Sequence, residues 1–327
     1  MSKLTHLDLF AGIAGFTYGF ERAGLETVGF SEIDNLPNRV LARRYPGIRN
    51  EGDIHGMDGR DYRGVDIVTF GSPCQDFSLA GERRGLDGGK SGILREALRI
   101  VRDARPRLAI WENVPGALTS NKRWDFAAVL DALAELGAMD IAWRVLDAQF
   151  FGVPQRRKRV FLVADFAGFR AEKILFDSSR SPRPTRTVRA QGQEIAGTLG
   201  GGSGDRGWAP DTDRMTFIPV GTRNGEQKFI VEDESLPIAI HLTQDPIHGY
   251  IAPCMSAGNK QGCATIGVFD GVGVRRLTPL ECERLQGFPD GWTDVDGAKD
   301  NKRYKALGNA VSPAQTTWLG EQVAHAL

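Results

Sequence analysis

Four cysteines in 327 residues, with no Cys-x-x-Cys pair among them, are too sparse for a disulfide framework in a chain this long. Cys74, Cys254, Cys263 and Cys282 are therefore expected as free thiols. The five histidines (6, 55, 241, 248 and 325) show no metal-ligand spacing, so neither a structural nor a catalytic metal is expected. No run of 18 or more apolar residues occurs, which argues against a membrane-spanning helix. The opening Met-Ser-Lys-Leu-Thr-His lacks the basic-then-apolar pattern of a secretory signal, and a cytoplasmic location is expected. Net charge is also missing: 41 basic side chains face 41 acidic ones. A zero sum weighs weakly against a nucleic-acid partner, but the placement of charge matters more than its total.

What is present is ordinary for a globular protein. At 41% hydrophobic and 25% charged, the chain is long enough for one large α/β domain and a smaller one. Leu4–Phe10 reads as a first strand, followed by Ala11-Gly12-Ile13-Ala14-Gly15 and a helix from about Phe16 to Ala23. This first turn lacks Gly-x-Gly-x-x-Gly spacing, so a dinucleotide pyrophosphate is not specifically indicated. Its glycines let a ligand approach backbone at a helix N-terminus, which suits a carboxylate as well as a phosphate. A second strand, Thr27–Phe30, ends in Ser31-Glu32-Ile33-Asp34. An acid there is the usual partner of a ribose diol, and Asp34 can equally serve as a helix N-cap. Asn35–Tyr45 is expected as a helix, and a third strand position precedes Gly52-Asp53-Ile54.

Asp66–Phe70 reads as a buried strand that stops at Gly71-Ser72-Pro73 and presents Cys74 at its carboxyl end. In open α/β sheets that end is where sites are built. A thiol here is either a small buried packing group or a nucleophile. The glycine and proline, which fix a sharp exit, favour the nucleophile, as do the polar Gln75, Asp76 and Ser78 that follow. Residues 79–92 carry five glycines with Arg83, Arg84 and Lys90, the composition of a lid that closes on a polyanion or of a plain surface loop. Ile93–Arg105 is an amphipathic helix, Leu108–Trp111 a short strand ending in Glu112-Asn113-Val114-Pro115, and Trp124–Gly137 a further helix. Ile141–Leu146 and Val160–Val163 are further strands. If the segment between them is extended, Arg157 and Arg159 point one way, and Arg156 and Lys158 the other. Residues 151–190 hold ten Lys or Arg against three acids, either a solvated basic surface or one wall of a groove for phosphates.

Several of these stretches, in this order, resemble the motifs of the cytosine-C5 DNA methyltransferases of single-chain bacterial or phage type. They are Asp8-Leu9-Phe10-Ala11-Gly12-x-x-Gly15-Phe16, Pro73-Cys74-Gln75-x-Phe77-Ser78, Glu112-Asn113-Val114, Gln155-x-Arg157-x-Arg159, Arg275–Asp290 and Tyr304–Val311. The resemblance spans 4–163 and 275–313. It implies a Rossmann-like S-adenosylmethionine-dependent methyltransferase sheet with a second, smaller, loop-rich target-recognition domain. It further implies that Cys74 is the nucleophile, Glu112 the general acid, and Arg157 and Arg159 its supporting arginines. The cofactor, S-adenosyl-L-methionine leaving as S-adenosyl-L-homocysteine, would meet Asp8, Phe10, Gly12, Gly15, Glu32, Ile33, Asp53, Ile54, Pro73, Asn309, Ala310 and Val311. Ile33 stands where many relatives have an aromatic, so stacking on adenine should be weaker here.

Double-stranded DNA is the implied partner, touched by Gln75, Ser78, Arg83, Arg84, Lys90, Arg156 and Lys158. The texture changes between about Asp165 and Gly273, where serine, proline, threonine and arginine crowd 178–189 and glycines fill 200–204. The expected division is therefore 1–175 for catalysis and cofactor binding (completed by 304–327), 176–273 for target recognition and 274–303 as hinge and support. A monomer is expected, with a cognate restriction endonuclease as a further partner. The alternatives are a transfer-RNA cytosine methyltransferase sharing these motifs, an inactive DNA-binding relative, which intact Cys74, Glu112 and Arg159 disfavour, and a thiol redox or dinucleotide enzyme.

Overall fold

The computed structural model describes residues 3–71, 92–177 and 276–327. It also describes, as backbone, the strand segments 218–223, 226–230, 238–241, 248–249, 266–269 and 274–275. Strands Thr5–Leu9 (β1), Glu26–Ser31 (β2), Ile67–Phe70 (β3), Leu108–Asn113 (β4), Asp140–Asp147 (β5) and Lys158–Asp165 (β6) form one sheet, in the order β2-β1-β3-β4-β6-β5. The first four are parallel; β6 runs antiparallel to β4, and β5 antiparallel to β6. The chain steps from β1 outward to β2, then returns across β1 to β3. The carboxyl ends of β1 and β3 therefore flank a topological switch point, where an open α/β sheet forms a crevice.

Alternation of side chains along these strands makes two cores. Val68, Phe70, Ala109, Trp111, Val160 and Leu162 face one way and pack with Leu98 and Val101 of helix Gly92–Ala104 (α3) and with Val129 and Leu133 of helix Trp124–Glu135 (α4). Ile67, Leu108, Ile110, Phe161 and Val163 face the other way. They meet Phe16 and Phe20 of helix Gly15–Arg22 (α1) and Leu319 and Val323 of the last helix, Pro313–Ala326. Because both faces are covered, the central strands are buried along nearly their whole length, mostly by apolar residues, with His6, Asp8 and Thr69 among the polar members.

Most elements lie within two residues of their expected bounds, with three differences. No sheet strand precedes Gly52: residues 46–53 make only one bridge, Phe30 to Asn50, and the third strand of the sheet is Ile67–Phe70. The strand expected over Leu108–Trp111 continues to Asn113, because Glu112 and Asn113 pair with Phe161 and Val160 of β6. Helix Asn35–Arg44 (α2) has Asp34 at its cap position but receives no side-chain cap from it. Glu32 takes the Asp34 N–H instead, at 2.7 Å.

The segment after 276 packs back against the six-stranded sheet and its helices. Thr278 and Glu281 form a reciprocal capping box on helix Pro279–Gln286, whose end is turned by Gly287. Phe288 and Trp292 then pack with Ala11, Ile13, Ala14 and Phe30. A further helix, Asp300–Asn309, precedes the last one. Separately, Ile238–His241, His248–Gly249, Ile266–Phe269 and Val274–Arg276 form a four-stranded sheet, and Ile218–Arg223 pairs with Glu226–Ile230 as a hairpin. Among the described residues no helix is long and apolar enough to cross a membrane.

Candidate active site

The antiparallel insertion of β6 decides where the charged residues meet. Since β6 runs against β4, its first residues lie at the carboxyl end of β4, next to Glu112. Arg159 Nε stands 3.0 Å from Glu112 Oε1, with the two side chains only 8% and 12% exposed. Burial pushes the Glu112 carboxyl above its usual range, and the guanidinium groups of Arg159 and Arg157 oppose that rise. This is a carboxyl able to hold a proton and still be steered by a cation. Its other oxygen, Oε2, faces the exit of β3, where a Cβ built on Gly71 would lie 3.1 Å from it. Cys74 itself lies outside the described residues, but three residues reach at most roughly 11 Å from Gly71.

Alternation holds in the arginine segment: Gln155, Arg157 and Arg159 are buried, Arg156 is half-buried and Lys158 is exposed. The two arginines nonetheless do different things. Arg157 donates from Nη2 to the carbonyl oxygens of Gly308 (2.9 Å) and Ala310. It ties the strand to the segment after helix 300–309, where Ala310 and Val311 are buried and Asn309 is exposed. Of the two arginines expected at the acid, it is Arg159 that stands at ion-pair distance from Glu112, while Arg157 acts on that carboxyl through its charge. Asn113 accepts the N–H of Val114 at 2.8 Å, orienting the turn after β4.

At the switch point, Phe10, Gly12 and Ala14 all have left-handed φ (57°, 54° and 67°), a conformation costly for the two that carry a Cβ. The turn is held by its surroundings: Trp292 donates its indole N–H to Ile13 O at 2.7 Å. The Gly12 N–H, expected to meet a ligand, donates to Glu32 Oε2 at 2.8 Å, and Glu32 Oε1 takes Asp34. Glu32 is thus aimed by two backbone donors, while burial raises its carboxyl. Beside it Ile33 is 68% exposed, an apolar face open to a flat partner. Asn50, which drew no notice in the sequence, joins the two halves of this crevice. Its Oδ1 accepts from Glu32 N (3.0 Å) and Gly52 N (3.1 Å), and its Nδ2 donates to Glu32 O. Asp53 is exposed; its Oδ1 accepts from the backbone N–H of His55 at 3.0 Å and lies 2.7 Å from the His55 ring nitrogen.

Four expected cofactor residues make contacts within the protein. Asp8 is buried, its Oδ2 accepting from Thr17 N and Oγ1 and its Oδ1 from Thr69 Oγ1. Its carboxylate therefore ties α1 and β3 together. Ile54 lies in the core beneath α3. Gly15 is packed against the final segment, since a Cβ there would come within 2.5 Å of Val311 O. Phe10 is half-buried against the same core as Ile54. The Asp8 network continues to His6: Thr69 gives its one hydroxyl proton to Asp8, so His6 Nε2, at 2.7 Å, must donate to Thr69, and Nδ1 accepts from Thr27. Burial lowers the His6 pKa to about 3, consistent with this neutral tautomer. Pro73, Gln75, Ser78, Arg83, Arg84 and Lys90 lie outside the described residues.

The donor set fits an adenosyl cofactor: a fixed carboxylate at the end of β2, an uncovered aliphatic face next to it, and a second carboxylate across Asn50. The chain is similar to known proteins over nearly its whole length. The family model for C-5 cytosine-specific DNA methylases matches residues 4–325. The type II methyltransferase M.BsuFI of Bacillus subtilis is 38% identical over 95% of this chain and 70% of its own length. The type II methyltransferase M2.BsuMI of Bacillus subtilis strain 168 is 30% identical over 97% of this chain and 74% of its own. Among solved structures, a protein described as a DNA modification methyltransferase encoded within an E. coli prophage aligns with a TM-score of 0.63. It is 19% identical, and the alignment covers 99% of each chain.

Proposed function

The chain belongs to the C-5 cytosine-specific DNA methylase family, and from that premise we propose that it works on a cytosine rotated out of duplex DNA through a transient bond between Cys74 and C6. The observation that carries this reading is the Glu112–Arg159 pair, set at the strand exit that leads to Cys74.

C5 of cytosine is a poor nucleophile while the ring is aromatic. Addition of the Cys74 thiolate at C6 moves electron density toward C5 and N3, which makes C5 enamine-like. Glu112, its pKa raised by burial, donates a proton or a strong hydrogen bond at N3. Arg159 holds that carboxyl in place and, through its cationic face, favours the oxygen side of the base. S-adenosylmethionine, when bound along Glu32, Ile33 and Asp53, supplies the electrophilic methyl group that C5 accepts. S-adenosylhomocysteine is left behind, C5 gives its proton to water, Cys74 leaves C6 as the thiolate, and N3 returns its proton to Glu112, which restores the aromatic ring. A base inside the duplex cannot reach these groups, so it must leave the stack at a cost of a few kcal/mol. Arg156, half-buried, and Lys158, exposed, would meet phosphate. By likeness to its type II relatives, the chain would be paired with a restriction endonuclease.

The test uses S-adenosylmethionine labelled in its methyl group, offered with duplex DNA or with transfer RNA. Duplex DNA should be labelled strongly and at one sequence, with 5-methylcytosine as the product. Preferential labelling of transfer RNA would move the substrate to RNA, and methylation at another atom would contradict the mechanism.

A further inference from the structure

Gly71 was expected to serve the sharp exit from β3, yet its φ lies outside the left-handed region, so the backbone there does not call for glycine. What calls for it is space. The Cβ of any other residue would stand 3.1 Å from Glu112 Oε2, closer than ordinary contact. Glu112 has little freedom to retreat, because its side chain is largely buried and Oε1 is 3.0 Å from Arg159 Nε. A guanidinium N–H can only donate, so Oε1 accepts, and a proton held by Glu112 belongs on Oε2. The oxygen that needs room is therefore the one facing Gly71.

We propose that Gly71 is a positioning residue for methyl transfer, its missing side chain keeping open the volume into which the proton-bearing oxygen of Glu112 projects. The proposal rests on the reading of Glu112 as the acid at N3. It makes the end of β3 serve both parts of the chemistry: the strand leads to Cys74 and leaves the place for the acid on β4. A methyl group at 71 displaces Oε2, and the carboxyl rotates away from Arg159.

The experiment compares wild type, Gly71→Ala, Glu112→Gln and the double variant for methylation of duplex DNA. Binding of S-adenosylhomocysteine and thermal stability report folding. Gly71→Ala should lower kcat by about 10–100-fold while S-adenosylhomocysteine affinity stays within about twofold. A carboxyl moved off Arg159 ionises less readily, so the limb of the kcat profile that falls as Glu112 ionises should move to higher pH. On top of Glu112→Gln, the same change should cost less than about threefold, because the group it acts through is already gone. In a Glu112→Asp background, where the carboxyl is one methylene shorter and the clash is relieved, Gly71→Ala should again cost less than about threefold. The full loss persisting in either background, or an unmoved pH limb, overturns the role of Gly71. Undiminished activity of Glu112→Gln alone overturns the reading beneath it instead.

Discussion

Glu112 and Arg159 meet across the antiparallel junction of β4 and β6, with Oε1 and Nε 3.0 Å apart. The carboxyl is thereby held by a cation at Oε1, while Oε2 lies toward Gly71. Removing the cation has two consequences with different readouts. Arg159→Gln should lower kcat by about 10²–10³-fold with little change in S-adenosylhomocysteine binding. Because the guanidinium opposes the effect of burial on Glu112, its loss should raise that carboxyl further, and the falling limb of the kcat–pH profile should shift to higher pH. A limb that stays in place, measured on duplex DNA, would detach Glu112 from the rate.

Arg157 is expected to act through the backbone it holds. Arg157→Leu strands the carbonyls of Gly308 and Ala310 and should reduce stability by about 3 kcal/mol. S-adenosylhomocysteine affinity should fall in parallel, as residues 309–311 lose their anchor. Equilibrium urea unfolding and calorimetric titration give the two numbers. A variant of normal stability with lost kcat would instead place Arg157 in the chemistry itself.

Asn50 and Glu32 should act together on the donor alone. Asn50→Ala removes hydrogen bonds to the backbone of Glu32 and Gly52 and should weaken S-adenosylhomocysteine binding about tenfold. At saturating donor, kcat should be close to wild type. Unchanged affinity would separate this clamp from the cofactor.

Asp8 gives a pH dependence of folding. Burial raises its pKa to about 6 despite the hydrogen bonds from Thr17 and Thr69. The native state therefore binds this proton more tightly than the unfolded chain does. The associated stability is complete below about pH 4 and is lost as pH rises toward about 6 and just above. Glu21, Glu32 and Glu112, also raised by burial, push the same way. Urea midpoints should thus decline over this window, and Asp8→Asn should flatten the decline. An identical slope in the variant would show that Asp8 titrates as an exposed carboxylate does.

Local features of the chain were legible before its fold was known. Buried strands show as short apolar runs, and the alternation of Arg157 and Arg159 is set by neighbours in sequence. What alternation could not supply is the partner. Arg157 reaches carbonyls about 150 positions away, and Asp8, which heads a glycine turn as a ligand residue would, is claimed by Thr69 across the sheet. Gly71 was read as a turn residue because the clash that excludes a side chain comes from a different strand. Asn50 carries no local signal at all. The expected recognition segment, 176–273, lies largely outside the described residues, and the bases such a segment would contact depend on geometry that composition does not encode.

The bond between Cys74 and the base is the claim on which the chemistry turns. It is tested most directly with duplex DNA carrying 5-fluorocytosine at the methylated position, incubated with enzyme and S-adenosylmethionine and then denatured. Fluorine cannot leave C5 as the proton does, so the wild-type protein should remain covalently attached, and peptide mass analysis should place the adduct on Cys74. Cys74→Ala should form no adduct while still binding DNA and S-adenosylhomocysteine. A wild-type enzyme that methylates normal DNA yet releases the fluorinated duplex intact, or an adduct that survives in Cys74→Ala, would contradict the account.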